Sequence, residues 1–478
     1  MMVALVTEPG LVSLGGGAFV TVSAPGRPAV TVDGYVEMPG RGLPASAFGR
    51  GTRDVVTAYG GRTAMTVGQG SVATPGVLAA FERAHQLFGR VPWRLVVEPA
   101  LEVARTGFPL GPASAYYMDF MREALFSADP EIRGSLHHDD GTPLALGETM
   151  VVPHLADFLE RVAEEGAAAL HRGDVARALA RSMRDEGGLV TEADLAAYEA
   201  VVRPALTVEV AGWSFATNPP PAIGGPVLAA MLLLLDGRPK DVWEEDDVRH
   251  LVAVLRAVLA HRAGALDVAE DRASAGQALL DAVLAEGQAW LGVAPSTAHV
   301  SAVVADGEAC ALTSSAGYGS GTTVPGTGIW LNNALGEHEL NRGGLHALAP
   351  GERLASNMAP TVGRRADGAA LAIGSPGADR ITTALTQVLA SFAHGGYDLQ
   401  AAVDRPRLHV SRSPEGVELL HHEEDLELPP GLGDETLRRT PHHPRSMFFG
   451  GVGAVLHEPD GTVVAAADPR RAGATATA

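Results

Sequence analysis

The chain has 478 residues, 46% of them hydrophobic and 19% charged, with a mean hydropathy of +0.10. That much apolar material fills a sizeable core and excludes wholesale disorder. Against 56 acidic residues stand 36 basic ones, and the resulting net charge of −20 opposes non-specific binding to nucleic acid or anionic lipid. Cys310 is the only cysteine, so no intrachain disulfide forms and a reducing, cytoplasmic compartment is expected. No apolar run approaches the roughly 20 residues of a spanning helix, and the opening MMVALVTEPG lacks the basic stretch of a signal peptide.

Residues 11–36 alternate glycine-rich turns with short strand-like runs, Ala18–Ser23 and Ala29–Val32. From Pro75 the period becomes helical: GVLAAFERAHQLFG and WRLVVEPALEVARTG carry apolar residues three and four apart. PHLADFLERVAEEG and DVARALARSMRDEGG continue the pattern, the second stopped by Gly187-Gly188. Thr191 followed by Asp194 reads as a capping box opening a short helix. VRPALTVEVAGWSF reads as strand, Asn218-Pro-Pro-Pro221 as a turn, and residues 226–290 as a second helical block. Beyond Pro295 hairpins dominate. Asp306-Gly307, Asp367-Gly368 and Asp460-Gly461 each separate two strand-like runs and suit a two-residue turn. Hairpins after a helical first half predict an α+β layered architecture.

Several residue clusters carry little chemistry. GYGSGTTVPGTG has G-x-G spacings but no following Lys-Ser/Thr, so it is not read as a phosphate loop. His137-His138-Asp139-Asp140 and His421-His422-Glu423-Glu424-Asp425 lack the i,i+4 spacing of a helical metal site and read as solvated loops. Cys310 lies in an alternating strand and reads as a small core residue, and no G-x-S-x-G elbow is present. Thr297, in S-T-A-H-V-S at the junction of the helical and hairpin halves, is an ordinary strand-start residue when taken alone.

Its surroundings change that reading. SLGGGAF at 13–19, SVATPG at 71–76, PPPAIGG at 219–225, TAHVS at 297–301, GTGIWLNN at 326–333, NMAPT at 357–361, GSPGADRI at 374–381 and AADPRR at 466–471 follow one another in the order found in one family. From about residue 8 to its end the chain resembles the γ-glutamyltransferase (γ-glutamyl transpeptidase) family of N-terminal-nucleophile hydrolases. The resemblance implies a four-layer αββα sandwich with antiparallel sheets, cut between Ser296 and Thr297. Residues 1–296 would form a large, mostly helical subunit and 297–478 a small, hairpin-rich one carrying the nucleophile, intertwined in one domain.

The implied chemistry has a physical logic. A threonine hydroxyl is a weak nucleophile without a base beside it. Cleavage ahead of Thr297 would free an α-amine of intrinsic pKa about 7.7–8.0, so hydroxyl and base belong to one residue. The resemblance also places oxyanion N–H donors at Gly377 and Ala378, and hydroxyl partners for Thr297 at Thr313 and Ser315. It calls for no metal or organic cofactor. The partners are a small amide or peptide substrate and the chain's own halves, held as a heterodimer; whether two heterodimers associate stays open.

The substrate-anchoring positions depart from the family. Val36 stands where the arginine that holds a γ-glutamyl α-carboxylate is expected, with Arg41 nearby as a substitute. Ala334-Leu335-Gly336-Glu337 replaces the usual acidic run after Asn332-Asn333, leaving Glu337 to accept from an ammonium, and Ser356-Asn357 replaces a serine pair. The family also carries several tens of residues ahead of the segment matching Leu5–Gly17; either this is a short form or the true start lies upstream, and only if that early helix is absent is its packing surface exposed. Acyl transfer with changed specificity is the leading expectation. The alternatives are a secondary-metabolism enzyme cutting an amide or C–C bond of a non-glutamyl substrate, and a non-cleaving binding homologue.

Overall fold

A computed structural model describes residues 1–57, 63–236, 243–286, 298–377, 379–413, 415–433 and 436–477. In chain order the elements used below are helix α1 (Met2–Thr7), strands β1 (Gly17–Ser23) and β2 (Val30–Gly34), and helices α2 (Val77–Phe88), α3 (Trp93–Thr106), α4 (Leu155–Glu165), α5 (Gly173–Glu186) and α6 (Glu192–Ala197). Strands β3 (Val201–Pro204), β4 (Leu206–Val210) and β5 (Trp213–Thr217) precede helices α7 (Gly224–Leu235), α8 (Glu245–His261) and α9 (Arg272–Glu286). Then come strands β6 (Ala298–Val303), β7 (Ala309–Ser315), β8 (Thr361–Arg365) and β9 (Ala370–Gly374), and helices α10 (Arg380–Leu389) and α11 (Leu399–Asp404). Strands β10 (Leu408–Arg412), β11 (Glu418–Glu423), β12 (Leu437–His442), β13 (Gly453–His457) and β14 (Val463–Ala467) complete the set.

The chain divides into two units: Met1–Phe19, Val32–Val201 and Ser314–Leu354 form the first, and Val20–Thr31, Val202–Thr313 and Ala355–Ala478 the second. Each draws chain from both sides of the expected 296/297 cut. In the first unit the amphipathic helices pack as their periodicity requires. Trp93 of α3 donates through Nε1 to the Val162 carbonyl of α4 (2.8 Å), and α1 buries Met2, Leu5 and Val6. Gly34 at the end of β2 has α2 against it: a Cβ there would stand 2.3 Å from that of Ala80. The capping box forms as expected, with Asp194 N–H donating to Thr191 Oγ1 (3.1 Å) and Thr191 N–H to the Asp194 carboxylate (2.9 Å).

The second unit holds two stacked sheets. One has the order β6-β7-β1-β2-β3 and the other β14-β13-β9-β8-β5-β4. Between them lies a thin layer of Ala216, Ala309, Ala311, Val362, Ala370 and Ala372. The outer face of the second sheet buries Phe215, Leu371 and Ile373 against Leu228 and Leu232 of α7 and Ile381 and Leu385 of α10. The two sheets and the helices on them are the α+β, αββα arrangement expected. A peripheral sheet, β10-β11-β12, adds one parallel pair, β11 with β12.

Three local expectations need correction. The Asp-Gly hairpins are not two-residue turns. At all three, the residue three before the glycine accepts the glycine N–H and donates its own N–H to the carbonyl of the residue after it, as in Val304–Glu308, Arg365–Ala369 and Glu458–Thr462. Only Gly307, Gly368 and Gly461 take positive φ, while each aspartate accepts the N–H two residues on. This is a three-residue loop closed by a glycine bulge. VRPALTVEVAGWSF is three strands rather than one, because Ala211 and Gly212 both adopt positive φ and fold β4 back on β5. Finally, His421–Glu423 is not a solvated loop but the end of β11. Glu423 is fully buried and ion-paired with Arg470, and it accepts the N–H groups of Arg407 and Ser446 at 2.9 Å. Cys310 is half-buried on β7, on the face opposite Ala309 and Ala311.

Candidate active site

Ser296, Thr297 and Ala378 lie outside the described residues, so the site is built from what adjoins them. In the second unit, β6 starts at Ala298. Two residues along that strand His299 and Ser301 point to one face, as strand alternation dictates. His299 Nδ1 lies 2.9 Å from Thr313 Oγ1 and Nε2 lies 2.7 Å from Ser301 Oγ, whose own proton goes to the Gly453 carbonyl (3.1 Å). Burial depresses the His299 pKa to about 3, so the ring is neutral. With the Ser301 proton committed, Nε2 carries the hydrogen and Nδ1 accepts from Thr313. Thr313, itself fully buried, is left with free oxygen lone pairs: it can accept from a neighbouring hydroxyl or amine. His299 escaped the sequence reading. Its only signals were its alternation with Ser301 and the glycine pair that admits it: a Cβ at Gly374 would stand 2.2 Å from the imidazole, and Gly453 is the registered partner of Gly374.

The expected oxyanion loop follows β9. Gly377 has φ +133°, and a Cβ on it would stand 2.6 Å from Gly450 Cα. Gly450 in turn approaches Ser375 and Pro376, and Ser375 Oγ accepts the Gly451 N–H (3.2 Å). Glycine is required at 377 both by conformation and by space. Ser356 and Asn357 lie at the N-terminus of α7, where the Ser356 carbonyl accepts the N–H groups of Ile223 and Gly224 (2.8 and 2.9 Å). Asn357 Oδ1 is buried without a hydrogen-bond partner among the described residues.

The first unit carries the remaining candidates. Ser315 Oγ accepts the Gly317 N–H (3.0 Å), and a Cβ at Gly317 would stand 3.0 Å from Glu337 Oε1, so both residues adjoin Gly317. Glu337 is 1% exposed and its Oε1 has no hydrogen-bond partner among the described residues; burial, reinforced by Glu339, pushes its pKa well above the carboxylate range. Arg41 is held between Glu37 and Asp194, each at 3.4 Å. Val36 is fully buried. Arg353, unread in the sequence, pairs with Glu37 (2.8 Å) and Asp33 (3.4 Å) and lies over the Tyr198 ring, 4.6 Å from its centroid. Among the described residues no group of three or more His, Cys, Asp or Glu could hold a metal ion, and no helix is long and apolar enough to cross a membrane.

The state of Glu337 makes a stability prediction. A carboxyl whose pKa is raised on folding is protonated in the folded chain while still ionised in the unfolded one. Stability therefore falls as pH rises from the unfolded value near 4.3 through the folded value. Glu337→Gln has no proton to lose, so its melting temperature should gain on the wild type between pH 5 and pH 8. An equal difference at both pH values would show that Glu337 is not held neutral.

Comparison with known proteins adds the ancestry. The family model described as Gamma-glutamyltranspeptidase matches residues 1–478. The chain is 27% identical to the glutathione hydrolase proenzyme of Escherichia coli (strain K12), over 97% of this chain and 84% of that protein. It is 29% identical to the acylase ACY 1 proenzyme of Pseudomonas sp. (strain V22), over 97% of this chain and 85% of the relative. In fold it is similar to the cephalosporin acylase from Bacillus halodurans, with a TM-score of 0.75, 20% identity, and coverage of 99% of this chain and 89% of that one. With a family model that matches along its whole length, the chain belongs to the gamma-glutamyltranspeptidase family of N-terminal-nucleophile hydrolases and acyltransferases.

Proposed function

We propose that the chain cuts itself between Ser296 and Thr297, stays together as a heterodimer of its two pieces, and uses the new N-terminal threonine to hydrolyse or transfer an amide-linked acyl group. The Thr297 amine takes the proton of its own hydroxyl as Oγ attacks the substrate carbonyl. The tetrahedral oxyanion is met by the N–H groups of Gly377 and Ala378. Collapse expels the amine leaving group with that proton, and water or an acceptor amine then resolves the ester. The observation that carries this reading is the His299–Thr313 pair. It holds a hydroxyl whose lone pairs are free, on β7, the strand that pairs with β6, which starts at Ala298, the residue after Thr297.

The preferred acyl group carries an amine but no α-carboxylate. Glu337 Oε1 is a buried acceptor, and an arriving ammonium would favour the carboxylate, whose proton then leaves to water. On the carboxylate side Val36 offers no charge, and Arg41 is already shared by two carboxylates. Charge-assisted hydrogen bonds contribute about 1.5–3 kcal/mol each, so a missing anchor is worth at least about tenfold in kcat/KM.

Intact-mass analysis of the purified chain, incubated at neutral pH with 4-aminobutyryl-, γ-glutamyl- or glutaryl-p-nitroanilide, tests both parts. Two masses meeting at 296/297, with the 4-aminobutyryl substrate released fastest, are expected. One uncut mass after prolonged incubation overturns self-processing, and fastest release from γ-glutamyl-p-nitroanilide overturns the substrate class.

A further inference from the structure

Asp379 follows the expected oxyanion loop directly and occupies the N-cap position of α10. Aspartate is among the best residues for that position because its carboxylate can accept the orphan N–H groups of the first turn. Here it caps nothing. Its Oδ2 lies 3.2 Å from His409 Nε2, and its Oδ1 is ion-paired with Arg380. His409 is fully buried on β10, and its other ring nitrogen lies 3.2 Å from Thr383 Oγ1, one turn into the same helix. Arg380 donates through Nε to the Phe448 carbonyl (2.9 Å) and lies 4.6 Å from the centroid of the Phe448 ring. The segment after Phe448 is the one that meets the loop, since Gly450 abuts Gly377 and Gly451 donates to Ser375. Asp379 therefore closes a ring of contacts from the loop, through α10 and β10, to residues 448–451 and back to the loop.

The charges facing this carboxylate come from three sides. Arg380 lies on its own helix and His409 on β10. Behind them, His421 of β11 and His442 of β12 stack on Phe448, with ring centroids at 4.6 and 4.3 Å. Burial holds these two rings neutral near pH 7, with pKa values of about 2 and about 4. Burial also works against the Asp379 charge, but Arg380 and His409 outweigh it and hold the carboxyl below its ordinary range. A carboxylate beside this loop has no favourable charge to offer a developing oxyanion. Its contacts to α10, β10 and Arg380 leave it a geometric role.

We propose that Asp379 is a positioning residue for acyl transfer: tied to His409 and Arg380, it fixes the segment that aims the Gly377 N–H group. This rests on the oxyanion role proposed for Gly377. Asp379→Asn keeps the shape and removes the ion pair with Arg380. The expected result is a kcat for 4-aminobutyryl-p-nitroanilide reduced by at least tenfold with KM within twofold, partly restored in Asp379→Glu. Hydrogen–deuterium exchange of the 374–381 amides should be at least tenfold faster than in the wild type. The exchange arm does not depend on turnover: a wild type that neither processes nor turns over would refute the proposed function while exchange still decides the positioning. Unchanged exchange overturns the proposal, as does a kcat that stays level or rises when the negative charge is removed.

Discussion

Thr297→Ala should leave a single 49.4 kDa chain and reduce turnover of every p-nitroanilide substrate to the uncatalysed background. Self-cleavage requires an oxygen that can attack the Ser296 carbonyl, replace the peptide C–N bond by an ester, and surrender that ester to water. Alanine has no such oxygen. The amine that would serve as base stays locked in the amide, so the same substitution removes nucleophile and base together. Thr297→Ser keeps the oxygen and should still yield two pieces, more slowly, because a serine hydroxyl loses the rotamer restriction that the threonine methyl imposes. Denaturing electrophoresis after timed incubation reads both variants. A cut Thr297→Ala chain would place the nucleophile elsewhere.

Gly377→Ala is expected to lower kcat by about 10²–10³-fold, the usual effect of losing one oxyanion donor. Alanine keeps its N–H, so the loss arises from geometry alone. At φ +133° an L side chain is strained, and its Cβ would stand 2.6 Å from Gly450 Cα. Backbone must move on one side or the other, and the N–H moves with it. Protein cut at the same 296/297 bond but with reduced turnover is the expected outcome. Wild-type kcat in this variant would dismiss the 377 amide as an oxyanion donor.

What was legible in the sequence follows from how local each feature is. The helices α2 to α5 and the Thr191 capping box depend on neighbours three and four residues apart, and the sequence prints those directly. Hairpin positions were legible from Asp-Gly, but loop length was not, because the same dipeptide serves a two-residue turn and a three-residue loop with a bulge. Thr313 could be picked out by resemblance, whereas the histidine that sets its proton could not, since His299 matters only once β6 and β7 pair. Arg353 meets Glu37 across 316 residues of chain, and nothing in the local pattern of either announces the other. The buried end of β11 was misread for a similar reason. A run of His and Glu looks solvated until Arg470, far along the chain, supplies the charge that lets Glu423 enter the interior.

The notch made by Gly374 and Gly453 has a mechanical consequence. Where alanines line the gap between two sheets, the layers could slide along their strands at little cost, because small side chains offer no obstruction. An imidazole seated in a facing pair of glycines acts as a key. Any slip by one residue would drive His299 into a neighbouring side chain and detach it from Thr313 and Ser301 together. Alignment of the two layers and orientation of the Thr313 hydroxyl are thereby one degree of freedom, and filling either glycine should disturb both at once.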